Sequence, residues 1–206
     1  RRVPEAMTAI LPFGAVGLAA VFLFRPSLYT WTAGLTGHGA HGFKALWLTY
    51  SFFLIRAAIY LLVWTGFAYW LVRSSRRQDG TGGIADTRRS VRLSMAFLVL
   101  FALTFSLACF DWVMSLEPHW VSTIFAVYNF AGLFSSGIAC LVLLVLWMRR
   151  YGPLRDFVNE EHLHDLGKLL FAFSTFWMYI WFSQYMLIWY ANITEETLYY
   201  VRRQHQ

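Results

Sequence analysis

Charge is what this chain has least of. Asp, Glu, Lys and Arg together make up 14% of its 206 residues, where a soluble domain carries about a quarter. Acidic residues are the scarcer kind, 11 against 17 basic ones, for a net charge of +6. Cysteine is nearly absent: Cys109 and Cys140 are the only two, and both lie inside apolar runs. No CxxC, CxxCH or mixed Cys/His cluster occurs. An iron–sulfur cluster, a c-type haem or a structural zinc held by this chain therefore has no ligand set. None of the six histidines falls in mid-span, which removes the axial pair of a bis-His haem. No metal site and no tightly bound cofactor are expected. A nucleic-acid partner is not expected either, because the basic residues gather at the ends of apolar runs, where they report membrane topology.

What is present is hydrocarbon. Hydrophobic residues make up 58% of the chain, with 19 Phe and 10 Trp among them. Several runs reach the roughly 20 residues that a bilayer-spanning helix needs. The fold class that follows is an all-α integral membrane protein, because a segment crossing lipid must satisfy its own backbone hydrogen bonds. A soluble helical core is the competing reading, but such cores seldom repeat long uncharged runs. The spans are expected at about 7–24, 50–72, 91–114, 120–148 and 166–192, in a single transmembrane helical domain over 1–206. RRVPEAM has no cleavage site after it, and both ends read as cuts, so the chain is expected to be an interior piece of a longer protein.

The connections carry the polar residues. Residues 73–90 (RSSRRQDGTGGIADTRRS) read as a polar, mobile loop, residues 115–119 as a tight hairpin, and 149–165 as a charged segment with a surface helix in DFVNEEHLHDLGK. Arg56 apart, twelve Lys and Arg lie on the side of the 73–90 and 149–165 loops and four on the other. That asymmetry puts both loops in the cytoplasm and turns FDWVMSLEPHW (110–120) outward.

Candidate chemistry gathers at that outer face. Arg56 stands about one turn inside the second span, with Tyr60 at i+4 on the same helix face. A charge at the bilayer centre costs about 3 kcal/mol, less near the interface. Arg56 is read either as snorkelling to the headgroups or as the partner of Asp111. Asp111 is read either as a wet helix-end carboxylate or as that ion pair, since a carboxylate at a helix C-terminus opposes the macrodipole. Glu117 and His119 flank Pro118, as turn residues or as a proton relay. Gln184, Ile188, Asn192 and Glu195 share one face of the fifth span, with Tyr185 and Trp189 beside them. Helix–helix hydrogen bonding and a quinone- or lipid-accessible groove are the two readings of that stripe. Mid-span Ser94, Thr104, Ser106, Asn129, Ser135, Ser136 and Thr175 are ordinary enough to be packing residues. His38 and His41, and likewise His162 and His164, read as loop and surface.

Four stretches taken together, RRVPEAM, FFLIRAAIYLLVW, FDWVMSLEPHWVSTIF and WFSQYMLIWYANITEET, resemble the ActF family, membrane components of alternative complex III. That complex is a bacterial quinol:cytochrome c oxidoreductase, and the family lies within the NrfD-like, polysulfide-reductase membrane-subunit superfamily. Thr194 and Val121 depart from the family pattern, where Pro and Phe are expected. The resemblance implies about ten transmembrane helices in the whole protein and a place in the bacterial inner (cytoplasmic) membrane. It implies partners too: a related integral membrane subunit, an iron–sulfur subunit and multihaem cytochrome c subunits holding the iron–sulfur clusters and haem c, with membrane lipids around them. On that footing, Asp111, Glu117 and His119 are candidates for an outward proton relay, Arg56 and Glu195 for tuning its charge, and Gln184, Tyr185 and Trp189 for lining a quinol or lipid groove. The rival readings are a scaffold subunit without chemistry and an autonomous transporter. The transporter would want its polar residues at mid-membrane.

Overall fold

The computed structural model describes residues 2–33, 43–81, 84–117, 120–152, 157–193, 197 and 201. Every regular element among them is helical: α1 (Arg2–Met7), α2 (Leu11–Phe24), α3 (Phe43–Trp47), α4 (Tyr50–Thr81), α5 (Ile84–Ala108), α6 (Phe125–Tyr151) and α7 (Glu160–Ala191). Four helices are long and apolar enough to cross a membrane: Arg2–Phe24, Tyr50–Gly80, Thr87–Leu116 and Phe125–Tyr151. The chain is an all-α, multi-pass membrane protein. The fifth expected span forms α7, 32 residues long. Three Trp and three Tyr, which rank low in hydropathy, and the polar Ser174, Thr175, Ser183 and Gln184 dilute its apolar residues, and it is not one of those four.

The lipid-facing character shows in what stays uncovered. Leu62, Leu98, Val99 and Leu143 are each 63–70% exposed. In water such faces would be a liability; in hydrocarbon they are the ordinary state of a membrane helix.

The helix boundaries differ from the expected ones in informative ways. α1 and α2 form one rod, interrupted by a 3-10 turn at Thr8–Ile10. Pro12 explains the turn, because its ring crowds the carbonyl four residues back, at Thr8. The expected loop at 73–90 is helix up to Thr81 and again from Ile84. Its arginines, serines and Gln78 are compatible with helix, and no proline interrupts them. The third span ends not as α-helix but as a π turn, Cys109–Val113, then a 3-10 turn, Met114–Leu116. α6 starts at Phe125, five residues later than expected. In 149–165, the expected surface helix is the start of α7 itself. Asn159 caps it with a reciprocal box: its side chain accepts from the His162 amide, and its own amide donates to His162 Nδ1.

The chain divides into two compact units, Glu5–Pro118 and His119–Gln206 together with Arg1–Pro4. In the first, α2, α4 and the segment after α2 enclose an aromatic core of Phe22, Tyr29, Trp31 and Phe53, with Ala57 beneath it. The rings meet edge-on or tilted, with centroids 5.1–6.4 Å apart, the arrangement their quadrupoles favour. In the second, α6 packs on α7 through small residues. Ala131 is fully buried, Gly132 lies under the Trp177 indole, and the Ser135 and Ser174 hydroxyls are 3.1 Å apart. Small side chains at such a crossing let the backbones approach closely.

Candidate functional site

Asp111 is the most completely enclosed polar residue described, 2% exposed. The π turn carries it. A π turn inserts one residue into the helix and re-aims the side chains around it. The Met114 amide closes the turn by donating to the Cys109 and Phe110 carbonyls, and the Ser115 hydroxyl donates to the Asp111 carbonyl.

Four donors converge on the Asp111 carboxylate. Arg56 Nε donates to Oδ2 at 2.8 Å and Nη2 to Oδ1 at 2.9 Å, a bidentate fork. Trp47 Nε1 donates to Oδ1 at 2.8 Å, and the Tyr60 hydroxyl donates to Oδ2 at 3.0 Å. Each oxygen thus accepts two hydrogen bonds. Arg56 is 6% exposed, and its guanidinium carbon lies 4.0 Å from the Trp47 ring centroid and 4.5 Å from that of Phe52. The ion pair therefore sits inside an aromatic wall that screens it little. Of the two readings of Arg56, the internal ion pair is the one realised, and snorkelling is not.

Tyr29 extends the network sideways. Its hydroxyl donates to the Trp112 carbonyl at 3.1 Å. Burial, and after it the Asp111 charge, push the phenol up to about 12. Three buried N–H groups around this centre meet no acceptor among the described residues: Arg56 Nη1, Trp31 Nε1 and Trp112 Nε1.

The other expected residues are placed as follows. Glu117 follows the 3-10 turn, half-buried, with its amide donating to the Met114 carbonyl at 3.1 Å. His119 and Glu195 lie outside the described residues, as do His38, His41 and Thr194. In the second unit, Gln184 is buried and its Nε2 donates to Ser122 Oγ at 2.9 Å. Tyr185 stacks on Trp181, with planes 10° apart. Trp189 is 64% exposed. Of the two adjacent stripes expected on α7, the polar one is buried at Gln184 and Ile188, while the aromatic one is exposed at Trp189. The polar stripe stops at Asn192, whose left-handed backbone (φ 48°, ψ 37°) ends the helix. Asn tolerates that conformation better than most residues.

The mid-span hydroxyls and amide act locally. Thr104 accepts from Trp64 Nε1 at 2.9 Å, tying α4 to α5. Ser106, Asn129 and Ser136 each donate to a carbonyl four residues back on their own helix.

Trp47 is the partner that sequence reasoning misses. It sits in the five-residue helix α3 before the second span, where a Trp reads as one more member of an interfacial belt. No sequence signal separates an indole that anchors at a headgroup from one that donates to a buried carboxylate.

Chemically, the centre is an ion pair whose carboxylate is saturated while Arg56 Nη1 is not. A relay carboxylate must take up a proton and release it. On Asp111 each lone-pair direction already meets a donor, so protonation has to displace one of them. The arrangement suits holding three segments together: α3 through Trp47, α4 through Arg56 and Tyr60, and the end of the third span through Asp111. No protein-family model matches the chain, and no curated protein matches it.

Proposed function

We propose that the chain is an integral membrane subunit of a respiratory quinol:cytochrome c oxidoreductase of the alternative complex III type, set in a bacterial cytoplasmic membrane. We further propose that its Arg56–Asp111 centre is a scaffold clamp rather than a step in proton or quinol chemistry. The assignment to that complex rests on the four stretches that resemble the ActF family. The clamp reading rests on one observation: the Asp111 carboxylate accepts four hydrogen bonds and is 2% exposed. Electron carriers then belong to the partner subunits.

The test is Asp111→Asn in the intact complex. The clamp reading expects less assembled complex in the membrane, with quinol:cytochrome c turnover per assembled complex unchanged. Normal assembly with turnover lost would instead make Asp111 part of the reaction path.

A quinone-binding role draws on the three buried N–H groups of Arg56, Trp31 and Trp112. Buried donors are rarely left without an acceptor, and a carbonyl oxygen or a water would satisfy them. A photoreactive quinone that labels residues 22–60 or 109–117 in the assembled complex would favour that reading over the clamp alone.

A further inference from the structure

At the far end of α4 and α5 the chain builds a second feature, which the proposed respiratory role does not use. A cleft of about 400 Å³ is lined by Trp70, Arg73, Ser74 and Arg77 of α4 and by Arg89 and Leu93 of α5. The α4 residues fall at i, i+3, i+4 and i+7, one helix face, and the α5 pair at i and i+4. Two helix stripes thus face a common space and bring three guanidinium groups to it.

The framework under the cleft is fixed. Ser74 and Ser90 hydroxyls are 2.8 Å apart, and Gln78 Nε2 donates to Thr87 Oγ1 at 2.7 Å, so the helices are pinned above and below Arg77. Ser74 itself is 7% exposed. Arg73 reaches the Tyr69 hydroxyl at 3.4 Å, and Ser75 donates to the Glu5 carboxylate. Residues 73–92 carry six arginines against Asp79 and Asp86, and Glu5 adds a third carboxylate at Ser75, so the net charge still favours an anion.

The walls say which anion. On one side the cleft is guanidinium; on the other it is Trp70 and Leu93, which continue into exposed apolar residues along both helices. Trp70 is 53% exposed, Leu62 about two turns before it is 70% exposed, and Leu100, two turns past Leu93 on the same stripe of α5, is 39% exposed. A free phosphate would need the arginines alone. A glycerophospholipid needs both halves: its phosphodiester at the arginines, its glycerol against Trp70, and its acyl chains down the bare faces of α4 and α5. Basic pockets between transmembrane helices on the arginine-rich side of a membrane bind anionic headgroups in this way. We propose that this cleft is a binding site for the phosphodiester headgroup of an anionic glycerophospholipid. The inference needs only a chain that spans a membrane, so it stands apart from the respiratory assignment.

The full chain in nanodiscs of equal parts phosphatidylglycerol and phosphatidylcholine tests it, with the lipids retained on release counted by native mass spectrometry. Phosphatidylglycerol is expected to be retained in preference. R89Q alone, on an exposed surface position, is expected to lower that retention about fivefold, and R73Q/R77Q/R89Q further. R149Q/R150Q, which removes charge at the end of α6, is expected to leave it unchanged. A large excess of inorganic phosphate should fail to displace the lipid. Equal retention of the two lipids, or an R89Q variant of normal helicity that retains lipid as the parent does, overturns the proposal. So does an equal loss in R149Q/R150Q, which makes the effect one of general charge. Complete displacement by inorganic phosphate makes the cleft a small-anion site instead.

Discussion

At the scale of single residues, the centre at Asp111 behaves as a matched set. Removing one member of a buried ion pair leaves the other charge without compensation, at a cost of about 3–5 kcal/mol. Arg56→Leu and Asp111→Leu should each lower stability by that order, and the double variant should lose less than the sum of the two. Thermal unfolding of the four proteins in detergent measures this coupling, and strictly additive losses would mean the pair is not coupled. Tyr29 gives a separate handle. Its phenol titrates near 10 when unfolded and near 12 when folded. The unfolded chain therefore gives up that proton first, and its share of stability is full below pH 10 and is lost as pH rises to about 12. Tyr29→Phe should flatten the stability profile across that window. It should also lose about 1 kcal/mol at neutral pH, because the Trp112 carbonyl is left without its donor. The Arg56–Asp111 pair was legible in the sequence because two rare charges on apolar spans have few alternatives. Trp47 was not, since indoles are common here and only the folded geometry selects one.

At the scale of elements, the long apolar runs could be read directly, while their ends could not. Span ends are set by local devices that composition hides: the capping box at Asn159, the left-handed Asn192 and the π turn before Met114. The 73–90 segment reads as loop because it is polar, yet polarity does not oppose helix unless proline or competing side-chain hydrogen bonds intervene. Two predictions belong to these devices. Asn159→Ala should cost about 1 kcal/mol by removing the acceptor for the His162 amide. Asn192→Gly should be neutral or slightly stabilising, whereas Asn192→Val should cost about 1–2 kcal/mol, because a β-branched residue does not settle at positive φ. Circular dichroism during thermal unfolding reads both. On α6, a Cβ at Gly132 would stand 3.0 Å from Trp177 Nε1. Gly132→Ala should therefore push the indole aside and change the near-ultraviolet spectrum of the α6–α7 pair.

At the scale of the whole molecule, the membrane reading came from charge scarcity and run length, and the bare apolar faces of the helices bear it out. Orientation is a separate matter, carried by the distribution of Lys and Arg. It predicts that an impermeant thiol reagent labels Asp79→Cys only from the cytoplasmic side and Glu117→Cys only from the opposite side. Cys109 and Cys140 would be replaced by alanine in the parent. Labelling in the reverse sense would invert the topology. The stripe that begins at Gln184 and the aromatic stripe of Tyr185 and Trp189 were legible only as angles, because helical periodicity groups residues by angle and does not say which angle is covered.

The π turn at Cys109–Val113 has a consequence for heredity. Its extra residue is three bases in the gene. A deletion of one codon there would restore an unbroken α-helix, and by hydrogen bonding alone the segment would improve. It would also undo the local re-aiming of the side chains within the turn, so the carboxylate would no longer be set toward its arginine. Substitutions within the turn can be absorbed by neighbours; a change of length cannot. Descendants of this chain should therefore vary in the letters of that segment far more freely than in their number.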